Sequence, residues 1–220
     1  MAHESAVVMF VLLLLLGIAG GTFVALVWRE TSTRRSVALA EWARASGFYS
    51  NPLAKLRPPP PLERFGTNLR IRHCLSSATA TVVSFTTDRL PANPDAPVDL
   101  NAAPPMPPQF HALIWAVKSD WPAIALRPTA APAALSDLLH LPSQAARYGT
   151  LRFVIFSDHR RTAHIVASSR LRGLLPADIG LLLIGNYLLL DFSSRPFDGI
   201  ELNRMIVIAE QIVSHMPAIN

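Results

Sequence analysis

Hydrophobic residues are distributed in two different ways along the 220-residue chain. The stretch Ala6–Trp28 is apolar or small throughout and contains no charged side chain. As a helix it would be about 34 Å long, which exceeds the roughly 30 Å hydrocarbon core of a bilayer. After Trp28 the apolar residues recur at strand and helix spacings instead. The pattern therefore predicts one N-terminal transmembrane helix followed by a folded domain.

Alternating or β-branched runs predict the strands of that domain. Two pairs are expected to form antiparallel hairpins, one around Ser76-Ser77 and one around Gly185-Asn186, a dipeptide typical of a two-residue turn. The predicted strands are Leu69–Cys74, Thr79–Thr87, Phe110–Val117, Ala123–Arg127, Leu151–Phe156, Ile179–Ile184 and Tyr187–Phe192.

Helical spacing and capping residues predict the helices. The last helix has an apolar stripe that runs from Ile200 to Met216, and Asp158 is interpreted as an N-cap. The predicted helices are Thr31–Ser46, Ala133–His140, the segment after Asp158, a short one from Ser168 or Ser169 to Leu175, and Asp198–Met216. The fold class predicted is α+β, with antiparallel hairpins packed with helices.

Composition divides the chain into four parts. Residues 1–5 are predicted to be a short extramembrane terminus, residues 6–28 to be the transmembrane helix and residues 29–47 to be a basic juxtamembrane helix. Residues 48–220 are one soluble domain with proline-rich loops at 52–61 and 91–108. The juxtamembrane helix either lies along lipid headgroups or is the first helix of the soluble fold, and the sequence leaves both open.

Basic residues on one side of the span predict its orientation. No Lys or Arg precedes it, whereas Arg29, Arg34 and Arg35 follow it next to Trp28, an aromatic residue typical of membrane interfaces. The positive-inside rule then places the N-terminus outside and the domain in the cytoplasm of a bacterial cell, on a single-pass anchor in the inner membrane. The five residues before the span lack the basic start of a cleaved signal peptide.

Small residues give the span a possible packing face. Gly17 and Gly21 form a GxxxG pair, and Ala25 continues it by one turn. Such a face lets another transmembrane helix approach closely, so helices of other subunits are the expected partners. The span carries no ionisable residue for a haem, a pigment or a proton relay.

Arginine dominates the positive charge of the chain, whose formal net charge is +5. Four arginines, Arg160, Arg161, Arg170 and Arg172, concentrate between Asp158 and Gly173. No aromatic residue lies among them, although a nucleic-acid surface would interleave the two types. Anionic lipid headgroups or an acidic patch on a partner protein are therefore the expected contacts, with a solvated helix face as the alternative and nucleic acid not expected.

Motifs that carry chemistry are missing from the sequence. It has no glycine-rich phosphate loop, no CxxC or HExxH metal motif and no GxSxG nucleophile elbow. Its single cysteine, Cys74, cannot form an internal disulfide. His159 and His164 are five residues apart and do not share a helical face. The expectation is a protein without catalytic residues, cofactor or metal, and not an enzyme.

The order of elements in the final hundred residues resembles a known plan. It runs from a strand ending in ALRP through a helix and a strand to an LLP segment, a hairpin with LLL and a terminal helix ending in proline. Together with ALAEWARASGF and RFGTN, this resembles a poorly characterised bacterial family of membrane-tethered domains of unknown function, over most of Ser36–Pro217. The resemblance implies an α+β domain on an anchor and supplies no catalytic residue. The proline-rich loop Pro91–Pro108 departs from the pattern.

The sequence leaves three functions open for this chain. The leading prediction is a non-catalytic, single-span accessory subunit that packs in and braces a larger membrane complex, with photosynthetic reaction-centre, light-harvesting or respiratory assemblies as candidate hosts. The alternative is a free-standing, membrane-tethered regulatory or ligand-binding module. An enzyme whose site has no recognisable motif is the third.

Overall fold

The computed structural model describes Gly17, Glu30 and residues 33–66, 68–88, 108–144 and 152–216. The chain divides into two units, Met1–Trp42 and Ala43–Asn220. Residues 33–45 form helix α1. The elements that follow in the second unit are strands β1 Tyr49–Ser50, β2 Leu69–Ser76, β3 Ala80–Thr87, β4 Gln109–Pro128, β5 Phe153–Ser157 and β6 Gly180–Asp191, helices α2 Arg160–Ser168, α3 Leu171–Leu174 and α4 Gly199–Ser214, and 3₁₀ helices Pro52–Lys55, Pro60–Phe65 and Leu135–Leu138.

The predicted transmembrane helix over 6–28 is contradicted. In the part of the chain that the structure describes, no helix is long and apolar enough to cross a bilayer. A crossing takes about 20 apolar residues, whereas α4 has 16 and includes charged residues such as Arg204 and Glu210. Apart from Gly17, which is helical, residues 6–28 lie outside the described residues. The prediction of a single-pass protein of a bacterial inner membrane, with the N-terminus outside and the domain cytoplasmic, is corrected with it.

The second unit is an α+β fold built on an antiparallel sheet of six strands. Strands β1, β2, β3, β4 and β5 are neighbours in that order, and β6 pairs with β4. One edge of β4 pairs first with β3 and then with β5, while its other edge pairs with β6. The β2–β3 hairpin was expected from alternation and β-branched residues, and the structure has it, with Ser77 in the turn.

Strands β4 and β6 form a long two-stranded ribbon that bends back on itself. A straight strand of 12 residues would be roughly 40 Å long. Yet a Cβ atom on Gly180, the first residue of β6, would lie 3.2 Å from the Cβ of Asp191, its last residue. The ribbon bends where the pairing register shifts, between Ala116 and Trp121 on β4, opposite Gly185. The two ends of β6 therefore meet, and Asp191 lies at the junction.

This bend corrects two predictions. Phe110–Val117 and Ala123–Arg127 are one strand, and Gly185-Asn186 is not a hairpin turn. A two-residue type I′ turn needs positive φ at both residues. Gly185 has φ +58°, but Asn186 is not among the described residues with positive φ. One left-handed residue produces a bulge that bends the strand without reversing it.

The core lies between the two halves of the bent ribbon. Phe110 from the first half and Phe85 from the neighbouring strand β3 pack with Leu182 and Ala125 from the second half, and the 3₁₀ helix Pro60–Phe65 contributes Phe65. These residues are fully buried or nearly so. Each large apolar side chain buried in this way contributes about 1.5–3 kcal/mol. Helix α2 packs on β5 and α3, and α4 contacts β4, β6 and α3.

The starts of two helices differ in how they are capped. Helix α2 begins after His159, whose side chain makes no capping bond, and the expected N-cap at Asp158 is not found, since the Ser157 hydroxyl accepts the His159 N–H. In α4, Asp198 is the N-cap and accepts from the N–H groups of Ile200 and Glu201. The segment expected to be helical over Ala133–His140 is a single 3₁₀ turn, Leu135–Leu138.

Candidate functional site: a basic cavity beside β5

An open cavity of about 780 Å³ lies where β5 begins and where α2 is followed by α3. The sequence folds this way because Ser169 ends α2 and, through its hydroxyl, accepts the Leu171 N–H of the next helix. The same hydroxyl donates to the Val166 carbonyl at 2.7 Å. The residues that line the cavity are Arg152, Phe153, Ser169, Arg170, Arg172, Gly173 and Leu174.

Three arginines line this cavity. Arg152 comes directly before β5, and its carbonyl accepts from the Thr129 N–H at 3.0 Å, which ties its backbone to the end of β4. Arg170 immediately precedes α3, and Arg172 lies within it and donates to the Ala167 carbonyl. Among the described residues, no Asp or Glu lines the cavity. The described lining is therefore rich in arginine.

The structure separates the four predicted arginines into two groups. Arg170 and Arg172 line the cavity, whereas Arg160 and Arg161 are exposed in the first turn of α2 and do not line it. The positive end of the helix dipole lies at that first turn, where acidic residues stabilise a helix. Two arginines there, with no acid in the turn, add positive charge at a place where it does not help folding.

The other predicted contact residues lie elsewhere. Gly17 is helical, and a Cβ atom there would meet nothing within 4 Å. Arg34 and Arg35 are exposed on α1, and Arg34 forms an ion pair with Glu30. Gly21, Ala25, Trp28 and Arg29, the rest of the predicted helix-packing and interface sets, lie outside the described residues.

A second polar region, not predicted from the sequence, surrounds Asp191 at the junction of the bent ribbon. One carboxylate oxygen accepts from the Leu135 N–H at 2.7 Å, and the other accepts from the N–H and hydroxyl of Ser193 at 3.1 and 2.5 Å. Burial raises the pKa of Asp191, although the Ser193 hydrogen bonds oppose that shift. With both oxygens occupied, Asp191 holds together β6, the 3₁₀ turn at Leu135 and the segment after β6.

Arg195 extends this Asp191 network. It donates two hydrogen bonds to Asp178, at 2.7 and 2.8 Å, and one to Glu201 at 2.9 Å. Hydrogen bonding to Arg195 lowers the pKa of Asp178, and the same bonds raise the pKa of Arg195 above its ordinary value. The pairs link the segment after β6, the loop before β6 and the first turn of α4.

Two histidines lie in one row across the sheet. His73 pairs with Ser84 and Ser84 with His111, and the ring of Phe197 lies 5.7 and 5.3 Å from the two imidazoles. His111 Nδ1 is 2.9 Å from the Arg195 carbonyl, which only accepts, so Nδ1 carries the proton. Nε2 then accepts from the Gln109 amide at 3.1 Å. Burial lowers the pKa of both histidines.

Sequence patterns could not have found either the Asp191 network or the histidine row. Asp178, Asp191 and Arg195 are spread over three segments and follow no motif, and His73 and His111 are 38 positions apart in the chain. Only the strand register brings the histidines into one row. Within the described residues there is no group of three or more His, Cys, Asp or Glu able to hold a metal ion.

Comparisons with known proteins give little guidance. No family model matches the chain, and no curated protein matches it. A solved structure described as the mycobacterial trehalose monomycolate transport factor A, TtfA, is similar over 83% of this chain and 96% of that one. The identity is 10% and the TM-score 0.40, a likeness too distant to argue from. These findings are consistent with the resemblance to a poorly characterised bacterial family and do not bear on membrane tethering.

The predicted photosynthetic or respiratory host is corrected. That prediction depended on a membrane-crossing helix, and no helix in the described part of the chain is long and apolar enough to cross a bilayer. A single-pass subunit of such a complex is therefore not considered further.

Proposed function

We propose that this protein is a non-catalytic binding module that holds a phosphate-bearing ligand in the basic cavity. The observation that carries the proposal is that three of the seven described residues that line one cavity are arginines, Arg152, Arg170 and Arg172. Guanidinium groups offer several N–H donors in a planar fork that matches phosphate oxygens. The phosphate belongs either to an anionic lipid headgroup or to a soluble compound.

The chemistry of the lining supports binding rather than turnover. Besides the arginines, its polar side chain is Ser169, whose hydroxyl already bonds to the Val166 carbonyl and the Leu171 N–H. Among the described residues that line the cavity there is no histidine, carboxylate or cysteine that could act as general base or nucleophile. Arginine stays protonated and does not exchange protons near neutral pH.

Calorimetric titration of the full chain with inorganic phosphate and with glycerol phosphate tests the proposal. Both are expected to bind in a salt-dependent manner, because the attraction is between charges. Arg170→Glu/Arg172→Glu should abolish binding. Arg57→Glu/Arg64→Glu, the same double charge reversal at exposed positions outside the cavity, should leave it unchanged. Equal binding by the wild type and the cavity double variant would contradict the proposal.

Vesicles separate the two sources of phosphate. Sedimentation with phosphatidylglycerol vesicles, and not with phosphatidylcholine vesicles, would identify a lipid headgroup as the ligand. If the soluble phosphates bind and neither vesicle does, the ligand is a soluble phosphate compound.

An accessory role that braces a partner protein is the second candidate. It is favoured by three apolar side chains near the start of the second unit, Tyr49, Leu53 and Leu56, which are 62%, 69% and 86% exposed. Leu53 and Leu56, three residues apart around a 3₁₀ turn, project on the same side. Native electrophoresis of cell extracts should show the protein in a larger complex, which Leu53→Ser/Leu56→Ser should dissociate. Migration at the mass of the free chain would rule out this role.

A further inference from the structure

We infer that the segment Tyr49–Arg57, which we call the tip, docks on the surface of a bilayer that contains anionic lipids. Its apolar side chains insert among the headgroups and its two cations lie against the lipid phosphates. The contact is made from one side of the bilayer and requires no helix that crosses it. The inference does not depend on the basic cavity, and it assigns a lipid surface, instead of a partner protein, to the exposed side chains of Leu53 and Leu56.

The tip concentrates exposed apolar side chains. In the part of the chain that the structure describes, six large hydrophobic side chains are exposed, and three of them, Tyr49, Leu53 and Leu56, lie within eight residues. Leu56, at 86%, is the most exposed of the six. Single exposed leucines are ordinary on a protein surface, whereas a group of exposed apolar side chains indicates a site of interaction.

The backbone of the tip is fixed to the domain. Ala54, between the two exposed leucines, is buried in the core. The Asn51 N–H donates to the Cys74 carbonyl on β2 at 2.9 Å, and the Leu56 N–H donates to the Leu53 carbonyl at 2.9 Å, which closes the turn. A run of four prolines follows and restricts the chain further. The leucines are therefore presented by an ordered turn, and their insertion costs little additional chain entropy.

The charge of the tip complements an anionic lipid surface. Lys55 and Arg57 lie on either side of Leu56 in the chain, and both are exposed. Neither forms an ion pair with any described residue, and no Asp or Glu occurs between Phe48 and Leu62. A cation at an anionic leaflet tightens binding by about fivefold. The same charges would repel a second copy of the tip.

The form of the surface favours a bilayer over a protein. A stable protein interface takes about 20–30 residues on each side, whereas the tip is a single turn, and lysine is depleted at protein interfaces. A bilayer requires no complementary shape, and each inserted apolar side chain adds to binding independently. Tyr49 adds an aromatic side chain of the kind that is enriched where a membrane meets water.

Sedimentation of the full chain with mixed vesicles, made of equal parts of phosphatidylcholine and phosphatidylglycerol, tests the inference. The wild type should bind the mixed vesicles more tightly than pure phosphatidylcholine vesicles, and added salt should reduce the difference. Lys55→Gln/Arg57→Gln should weaken binding to the mixed vesicles by about 25-fold, because it removes two cations from the anionic surface.

A leucine variant tests insertion without changing any charge. Leu53→Ser/Leu56→Ser should weaken binding to the mixed vesicles by at least about 30-fold, because two apolar side chains no longer leave water. Ile200→Ser/Val207→Ser is the matched control, since it removes two exposed apolar side chains from α4, and it should bind as the wild type does. Unfolding midpoints verify that each variant is folded.

A tryptophan at the tip reports insertion directly. The fluorescence of Leu56→Trp should be quenched by lipids that carry bromine on their acyl chains, to a greater extent than that of the wild type. Gln211→Trp, at an exposed position on α4, is the control and should show no such increase. Equal quenching of the two variants would overturn the inference.

The remaining outcomes keep the inference separate from the proposed function. If the wild type does not bind the mixed vesicles, the inference is overturned and the leucines are left to a protein partner. If Leu53→Ser/Leu56→Ser binds them as tightly as the wild type, the tip is not the lipid contact and the inference is again overturned. This variant keeps the arginines of the cavity and should bind glycerol phosphate as the wild type does. It is therefore also the background in which vesicles test the cavity.

Discussion

The Asp191 network and the basic cavity lie in the same domain and use polar groups in opposite ways. Each oxygen of Asp191 has a donor within the chain, and Arg195 is paired with both Asp178 and Glu201. Among the described residues, the lining of the cavity includes Arg152, Arg170 and Arg172 and no acid. Charges paired with each other in a network stabilise the fold, whereas arginines that line a cavity can hydrogen-bond a phosphate group there. The comparison predicts that the first region governs stability and the second governs binding.

The largest expected effect is at Asp191. Asp191→Ala leaves the Leu135 N–H and the two Ser193 donors without their acceptor in a buried place, which should reduce the free energy of unfolding by about 2–4 kcal/mol. Urea denaturation followed by circular dichroism measures the change. Asp88→Ala is the matched control, since Asp88 is exposed and lies 4.0 Å from Arg70, and should change stability by less than about 0.5 kcal/mol. Similar losses in both variants would show that the Asp191 network does not hold the fold.

A glycine pair tests the packing of the two regions with one kind of substitution. Gly180→Ala places a Cβ atom 3.2 Å from the Asp191 Cβ, and this overpacking should cost about 1–3 kcal/mol. Gly173→Ala adds a Cβ atom to open space within a helix and should be neutral or stabilise by up to about 1 kcal/mol. Thermal unfolding of the two variants gives the comparison. If Gly180→Ala is as stable as wild type, the ends of β6 are not in close contact.

A smaller effect should appear as a pH dependence of stability. Burial lowers the folded-state pKa of His111 below its ordinary value of 6.5, and the pKa of His73 is lowered in the same sense by burial and by Arg72 and Lys55. As the pH falls below about 6.5, the unfolded chain binds protons that the folded chain does not, so the folded state loses stability. Above that pH both states are neutral at these sites and this contribution is constant.

His111→Gln should flatten this part of the curve, because glutamine does not titrate. Urea denaturation between pH 5 and pH 8 measures it, and His159→Gln, at an exposed position before α2, should keep the wild-type slope. An unchanged slope in His111→Gln would mean that His111 is not responsible for the pH dependence.

Local patterns predicted the elements whose partners lie nearby in the chain. The β2–β3 hairpin follows from two alternating runs separated by a short turn, and α4 follows from its apolar spacing and from Asp198 at its start. The prediction of a hairpin turn at Gly185-Asn186 was wrong for a physical reason. The same residues suit a turn or a bulge, and the choice depends on whether β4 continues alongside, which is a tertiary property.

The candidate site was half predictable from the sequence. Arg170 and Arg172 were found because they are close together in a charge cluster, and they do line the cavity. Arg152 was not distinguished from other arginines, because it reaches the cavity only through the packing of α2 and α3 beside β5. Arg160 and Arg161 belong to the same cluster in sequence and lie outside the lining, since helix geometry places them at the exposed start of α2.

The most direct test measures stability and binding on one variant. Arg170→Glu/Arg172→Glu should remain folded and lose up to about 1.5 kcal/mol of stability, because Arg172 donates a hydrogen bond to the Ala167 carbonyl. The same protein should fail to bind glycerol phosphate in a calorimetric titration in which the wild type binds it. Unchanged binding of glycerol phosphate by this folded double variant would contradict the assignment of the basic cavity as the functional site.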